Sequence, residues 1–150
     1  MSCESEVITA VINAINADTG TGGLLNSAST AFVREVTRKD DPNGDRAASN
    51  WPSIEVSCST QSGMDPFGSG AYMADVRVRI KTDMDTGFTN HDAVCARLRT
   101  VLHRVTFTAG STYGFSAFRI VRWIRLEPIN LKEVQTVADC RIVARKNSGL

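Results

Sequence analysis

Between Lys81 and Val94 the chain reads KTDMDTGFTNHDAV, which gathers Asp83, Asp85, Asn90, His91 and Asp92 around Gly87. Carboxylates and an imidazole this close could hold a divalent cation, run acid–base chemistry, or join two structural elements. A calcium loop of the helix-loop-helix kind needs a third oxygen ligand ahead of its glycine and a glutamate six residues after it. Here the glycine comes one place early, and Val94 stands nine residues after Asp85, where a closing acid would fall. On a helix the adjacent His91 and Asp92 point about 100° apart, so they do not share the face a zinc pair uses. Thr89 to Asp92, TNHD, has the pattern of a capping box. In that pattern the Thr89 hydroxyl accepts from the Asp92 N–H, the Asp92 carboxylate reaches back, and the acid suits the helix dipole. The stretch is therefore expected to be a strand-to-helix joint, with Gly87 allowing the turn.

Other routes to catalysis are weaker. Cys95 follows His91 by four residues, a spacing that could pair thiol and imidazole on one helix face, but Cys95 lies beside an apolar stripe. His103 falls near a helix end, where a cation is favoured. There is no GxSxG, no Walker loop and no dinucleotide fingerprint; GTGGLL lacks both the preceding strand and the GxGxxG spacing. Cys3, Cys58, Cys95 and Cys140 are far apart and form no CxxC pair, so free thiols are expected, Cys95 and Cys140 on apolar faces. No catalytic residue, metal or cofactor is expected.

The elements that position these residues follow from periodicity. Val7, Ile8, Val11, Ile12 and Ile15 repeat at three and four and predict a helix over Glu6 to Asp18, closed by DTGTGG. Strands are expected at Phe32 to Arg38 and Ser53 to Ser59, separated by the loop KDDPNGDRAASNWP; TQSGMDPFGSG follows as a second loop. Tyr72 to Lys81 alternates most cleanly: Tyr72, Ala74, Val76, Val78 and Ile80 face one way, and Asp75, Arg77, Arg79 and Lys81 the other. A second helix over Asn90 to Arg104 carries Val94, Leu98, Val101, Leu102 and Val105 on its apolar face. AFRIVRWIRLE and VQTVADCRIVARK form a final strand pair joined through PINLKE, and TAGSTYGFSA reads as a loop. Strict alternation in the first of these strands puts Arg122 with Phe118, Ile120, Ile124 and Leu126, and Val121 with Trp123 opposite. A strand apolar on both faces is covered on both sides, by its own core or by a neighbouring subunit. The order helix, three strands, helix, two strands predicts one α+β domain over residues 1–150, with two helices on a twisted, mainly antiparallel sheet.

With 150 residues the chain can bury a single substantial core. Hydrophobic residues make up 42% and charged residues 22%, and no apolar run reaches the length of a membrane span, so no membrane partner is expected. The start, MSCESEVITAVINAINADTG, is acidic and periodic where a signal peptide is basic and continuous, which reads as a cytosolic product. Net charge is +1, but residues 1–70 carry nine acids and four bases, whereas residues 71–150 carry seven acids and thirteen bases. Such a split fits self-association, contact with a polyanion, or a solvated charged sheet face.

Taken in order, SEVITAVINAIN, WPSIEVSCS, AYMADVRVRIKTD, HDAVCARLRTVLHRV and the final strand pair resemble the tail terminator and tail completion proteins of long-tailed bacteriophages. That resemblance implies a virion protein of the tail or neck. It would form a ring, usually of six copies, that caps the tail tube, ends its polymerisation and meets the head-side connector, with DNA passing through the lumen without sequence-specific binding. Arg77, Arg79, Lys81, Arg122, Trp123, Arg141 and Arg145 are the candidates for subunit or lumen contacts. The alternatives are a head-completion or stopper protein of the neck or a minor tail component, a nucleic-acid-binding module using the arginine-rich half, and a small hydrolase or metal-dependent enzyme built on Asp83, Asp85 and His91.

Overall fold

The structure, a computed structural model, describes residues 2–18, 32–35, 53–61, 71–84, 87–126 and 133–147. Helix α1 (Cys3–Asn16) begins ahead of its apolar periodicity, because Ser2 is extended and its hydroxyl accepts from the Ser5 N–H at 3.2 Å. Glu4 and Glu6 in the first turn complement the helix dipole. Strands β1 (Phe32–Glu35), β2 (Ser53–Gln61) and β3 (Ala71–Asp83) follow, then α2 (Gly87–Leu102), β4 (Tyr113–Phe115), β5 (Arg119–Leu126) and β6 (Glu133–Lys146).

The strands form one six-stranded sheet in the order β1-β2-β3-β6, with β4 and β5 pairing in tandem along the far side of β6. Pairing is antiparallel except for β1 with β2, which is parallel. A parallel partner needs a connection of about a dozen residues or more, and residues 36–52 supply it. Strand β4 lies within TAGSTYGFSA, which reads as a loop, because three residues carry too little alternation to mark a strand and its partner lies at the distant end of β6. The loops around residues 36–52 and 62–70, and most of PINLKE, lie outside the described residues.

Both helices pack on one face. Val7, Val11 and Ile15 of α1 and Val94, Leu98 and Leu102 of α2 are fully buried against Ile54, Val56, Val78, Ile80, Ile142 and Ala144. Burying each such aliphatic side chain contributes about 1.5–3 kcal/mol, so this two-layer core holds the helices to the sheet. Phe107 and Phe118 add a tilted ring pair at 5.3 Å. The expected α+β domain with two helices on a mostly antiparallel sheet is the observed one.

Three local expectations are corrected. Helix α2 starts at Gly87, where φ is +78°, so Thr89 is already helical and the capping box at Thr89–Asp92 does not form; Asp92 pairs with Arg125 instead. The helix ends at Leu102, and Val105 lies beyond it, its carbonyl accepting from the Phe118 N–H at 2.8 Å. In β5, strict alternation fails. Ile120 stands opposite Cys140 and Arg122 opposite Asp139, leaving Val121 as an extra, bulged residue, 61% exposed. A bulge reverses the facing of everything after it. Arg122 therefore joins Ile124 and Leu126 on the outer face, and Trp123 joins Ile120 on the helix side, packed on the core.

Candidate interaction surface

The stretch with the strongest chemical appearance is built for support. His91 is fully buried under α2, its Nδ1 2.8 Å from Thr82 Oγ1 of β3 and its Nε2 2.7 Å from Thr136 Oγ1 of β6. Both threonines lie on the helix-side face of adjacent strands, so the imidazole pins α2 across the β3–β6 seam. The Cys95 Sγ lies 3.5 Å from Nε2, the proximity that i,i+4 spacing implied. Burial pushes the His91 pKa down, with the nearby Arg125 acting the same way. Burial also pushes the Cys95 thiol up, more than the bond from Thr136 and the Arg125 charge offset. Two groups driven toward their neutral forms are a poor thiolate–imidazolium pair. All four cysteines are free, with Cys58 and Cys140 pushed up to about 12 and Cys3 to about 11, each chiefly by burial. Among the described residues no three His, Cys, Asp or Glu side chains converge as metal ligands; Asp85 lies outside that set.

His103 departs from expectation. Its Nδ1 accepts from the Ile120 N–H at 3.0 Å, which requires a neutral ring. Its pKa is lowered by desolvation and by Arg104, Arg99 and Arg119, which outweigh the favourable helix end.

Sequence reasoning missed two polar clamps. The Glu6 carboxylate, on a residue 3% exposed, accepts from Ser111 Oγ at 2.7 Å, Thr112 N at 2.8 Å and Tyr113 N at 2.9 Å. Burial raises its pKa, but these bonds outweigh burial and hold it below the usual carboxylate range. Arg97 donates from Nε to Asp18 Oδ2 at 3.0 Å and from Nη2 to Oδ1, tying the end of α1 to α2. An acid in a first helical turn reads as a dipole complement, and neither partner is near in sequence.

The sheet face away from the helices collects the arginines. The registers set Ser57, Arg77, Asp139 and Arg122 in one row across β2, β3, β6 and β5, and Ser59, Asp75, Arg141 and Arg119 in the next. Asp139 accepts from Arg77 Nε at 3.0 Å and from Arg122 Nη2 at 2.7 Å, and Asp75 accepts from Arg141 Nε at 3.2 Å. The Arg122 bond, with help from Arg77, keeps the Asp139 pKa low against its partial burial. The side chains of Arg77, Arg122 and Arg141 remain 56%, 62% and 57% exposed.

The other sequence candidates are less available. Lys81 bonds Glu55 at 3.0 Å with side-chain exposures of 12% and 9%. Arg79 is half-buried in the row of Glu55, Val137 and Ile124. Trp123 is on the opposite face, and Arg145 is exposed at the end of β6 beside β4. Three of the seven candidates thus meet in one hollow.

No protein-family model matches the chain, and no curated protein sequence does. Among solved structures, a chain from the "Virion of native gene transfer agent (GTA) particle" superposes with a TM-score of 0.70, covering 95% of this chain and 96% of that one. The two chains share a fold. Their sequences are 13% identical, so the likeness lies in the arrangement of elements and not in shared side chains. Among the described residues no helix is long and apolar enough to cross a membrane.

Proposed function

We propose that the chain is a structural protein of a phage-type virion, a tail terminator whose ring of identical copies caps the tail tube and joins it to the head-side connector. The observation that carries the reading is the end-to-end superposition on a chain of a gene transfer agent virion, which matches nearly the whole of both chains. The order of elements behind the terminator resemblance supports it further. So does the balance of the molecule: the groups most suggestive of chemistry, His91 and Cys95, are spent inside the fold, whereas the exposed polar groups form an ordered surface. Ring contacts in this reading fall to Arg77, Arg122, Arg141 and Arg145, which remain reachable, and the acidic and basic halves of neighbouring copies meet around a closed ring.

Light scattering on the purified protein, with electron microscopy of the same sample mixed with tail tubes of its cognate tube protein, tests the proposal. Rings of about six copies, or caps at one end of the tubes, are expected. A monomer that ignores the tubes refutes it, and capture of the connector in place of the tube assigns the chain to the neck as a stopper or head-completion protein.

A further inference from the structure

The hollow over β2, β3, β6 and β5 has a specific construction. Its volume is about 690 Å³. The short side chains Ser57 and Ser59 line its β2 side, and the bulged Val121 lines its opposite side. Each row crosses four strands, about 15 Å at the usual strand spacing. The guanidiniums are not free to sweep. Arg122 spends Nε and Nη2 on one Asp139 oxygen, Arg77 spends Nε on the other, and Arg141 spends Nε on Asp75. Fixed in this way, each presents its remaining N–H groups outward at low entropic cost.

The signs decide what fits. The two rows hold Arg77, Arg119, Arg122 and Arg141 against Asp75 and Asp139, a surplus of two positive charges. A surface that follows nucleic acid is a continuous cationic track. Here each row contains a carboxylate, which a phosphodiester chain laid over the patch would have to cross. Discrete carboxylates on a polypeptide can instead be placed between them, accepting from the free guanidinium N–H groups and from the serine hydroxyls.

We propose that this hollow is a socket for an acidic segment of an adjoining protein subunit and not a wall facing DNA. The proposal rests on the reading of the chain as a subunit of a particle and names the chemistry of one of its neighbours. Asp75 and Asp139 have two tasks in the socket: they orient the arginines and they turn phosphate away.

The test uses fluorescence anisotropy of two labelled probes of matched charge, an acetylated (Asp-Ser)4 peptide and a short oligo-dT, at low and moderate salt. For the native chain, peptide binding tighter than oligonucleotide binding is expected. In Arg122→Gln/Arg141→Gln, peptide affinity falls about tenfold, whereas Arg99→Gln/Arg104→Gln, on exposed arginines of α2 and the turn after it, leaves it unchanged. In Asp75→Asn/Asp139→Asn, oligonucleotide affinity rises several-fold. Equal peptide binding by the two arginine double variants, or an oligonucleotide preferred by the native chain, overturns the socket. So does an oligonucleotide affinity indifferent to the aspartates. Ring and cap formation scored on the same samples separates the two ideas: rings without a socket refute only this inference, and a socket on a protein that never caps tubes refutes only the terminator reading.

Discussion

Replacing Gly110 with alanine and Glu6 with alanine should cost similar stability, and together no more than one alone. A Cβ at Gly110 would overlap the Glu6 carboxylate and stand 2.9 Å from its Cδ, so the side chain must leave its site. In leaving, it drops the bonds from Ser111, Thr112 and Tyr113. Ser111 is exposed and its hydroxyl can turn to water, so the two backbone N–H groups dominate. At about 1.5 kcal/mol for each hydrogen bond to a charged group, Glu6→Ala costs about 3 kcal/mol. Gly110→Ala loses the same bonds but regains part of a kcal/mol from a less flexible unfolded chain, for a net cost of about 2 kcal/mol. The double variant loses those bonds once and keeps the gain in the unfolded chain, so it should cost about 2 kcal/mol instead of about 5, a coupling of about 3 kcal/mol. Urea unfolding followed by circular dichroism, at one protein concentration, measures all four species. Costs that simply add, within about 0.5 kcal/mol, would refute the view that Gly110 is glycine to make room for this carboxylate.

Arg104 adopts a left-handed conformation, φ 63°, just past the end of α2, so Arg104→Gly should raise stability by about 1 kcal/mol; an unchanged unfolding midpoint would contradict it. Both histidines have lowered pKa values in the fold, so the unfolded chain takes up protons first as the pH drops below its imidazole value of about 6.5, and stability falls with it. The slope is at most about 1.4 kcal/mol per pH unit for each ring. Unfolding curves between pH 7.5 and 5.5 should show the loss, His103→Gln should remove about half of it, and stability that rises on acidification would reverse the argument. Deleting Val121 leaves Ile120 and Arg122 on the faces they already occupy, so it should change stability by only about 1 kcal/mol. Trp123 fluorescence should stay blue-shifted, and a shift to the red would show that the bulge does more than insert a residue.

The parts of the fold that could be read from the sequence share one physical property, a single buried face on a long element. β3 alternates because Val76, Val78 and Ile80 meet the helices while Arg77 and Arg79 do not, and α1 shows its stripe for the same reason. What escaped is set by contacts across long separations. The Val121 bulge depends on the register with β6, β4 depends on a partner some thirty residues later, and the start of α2 is decided by Gly87 and not by the capping residues after it. Which of the arginine candidates meet was decided by the bulge. One inserted residue turned Arg122 toward Asp139 and withdrew Trp123 to the core. Glu6 and Asp18 were invisible as clamps because their donors come from the other half of the chain.

Strand β6 borders β3 on one side and both β4 and β5 on the other, so every row of the arginine face runs through it. During synthesis β3 and β5 exist first, but the Asp139 that orients Arg77 and Arg122 arrives late, and Arg141 later still. A nascent chain therefore holds its arginines loose and unmatched until residues 133–146 have left the ribosome and inserted between strands already made. The molecule thus carries its own timer: the ordered arginine face appears only once the sheet has closed.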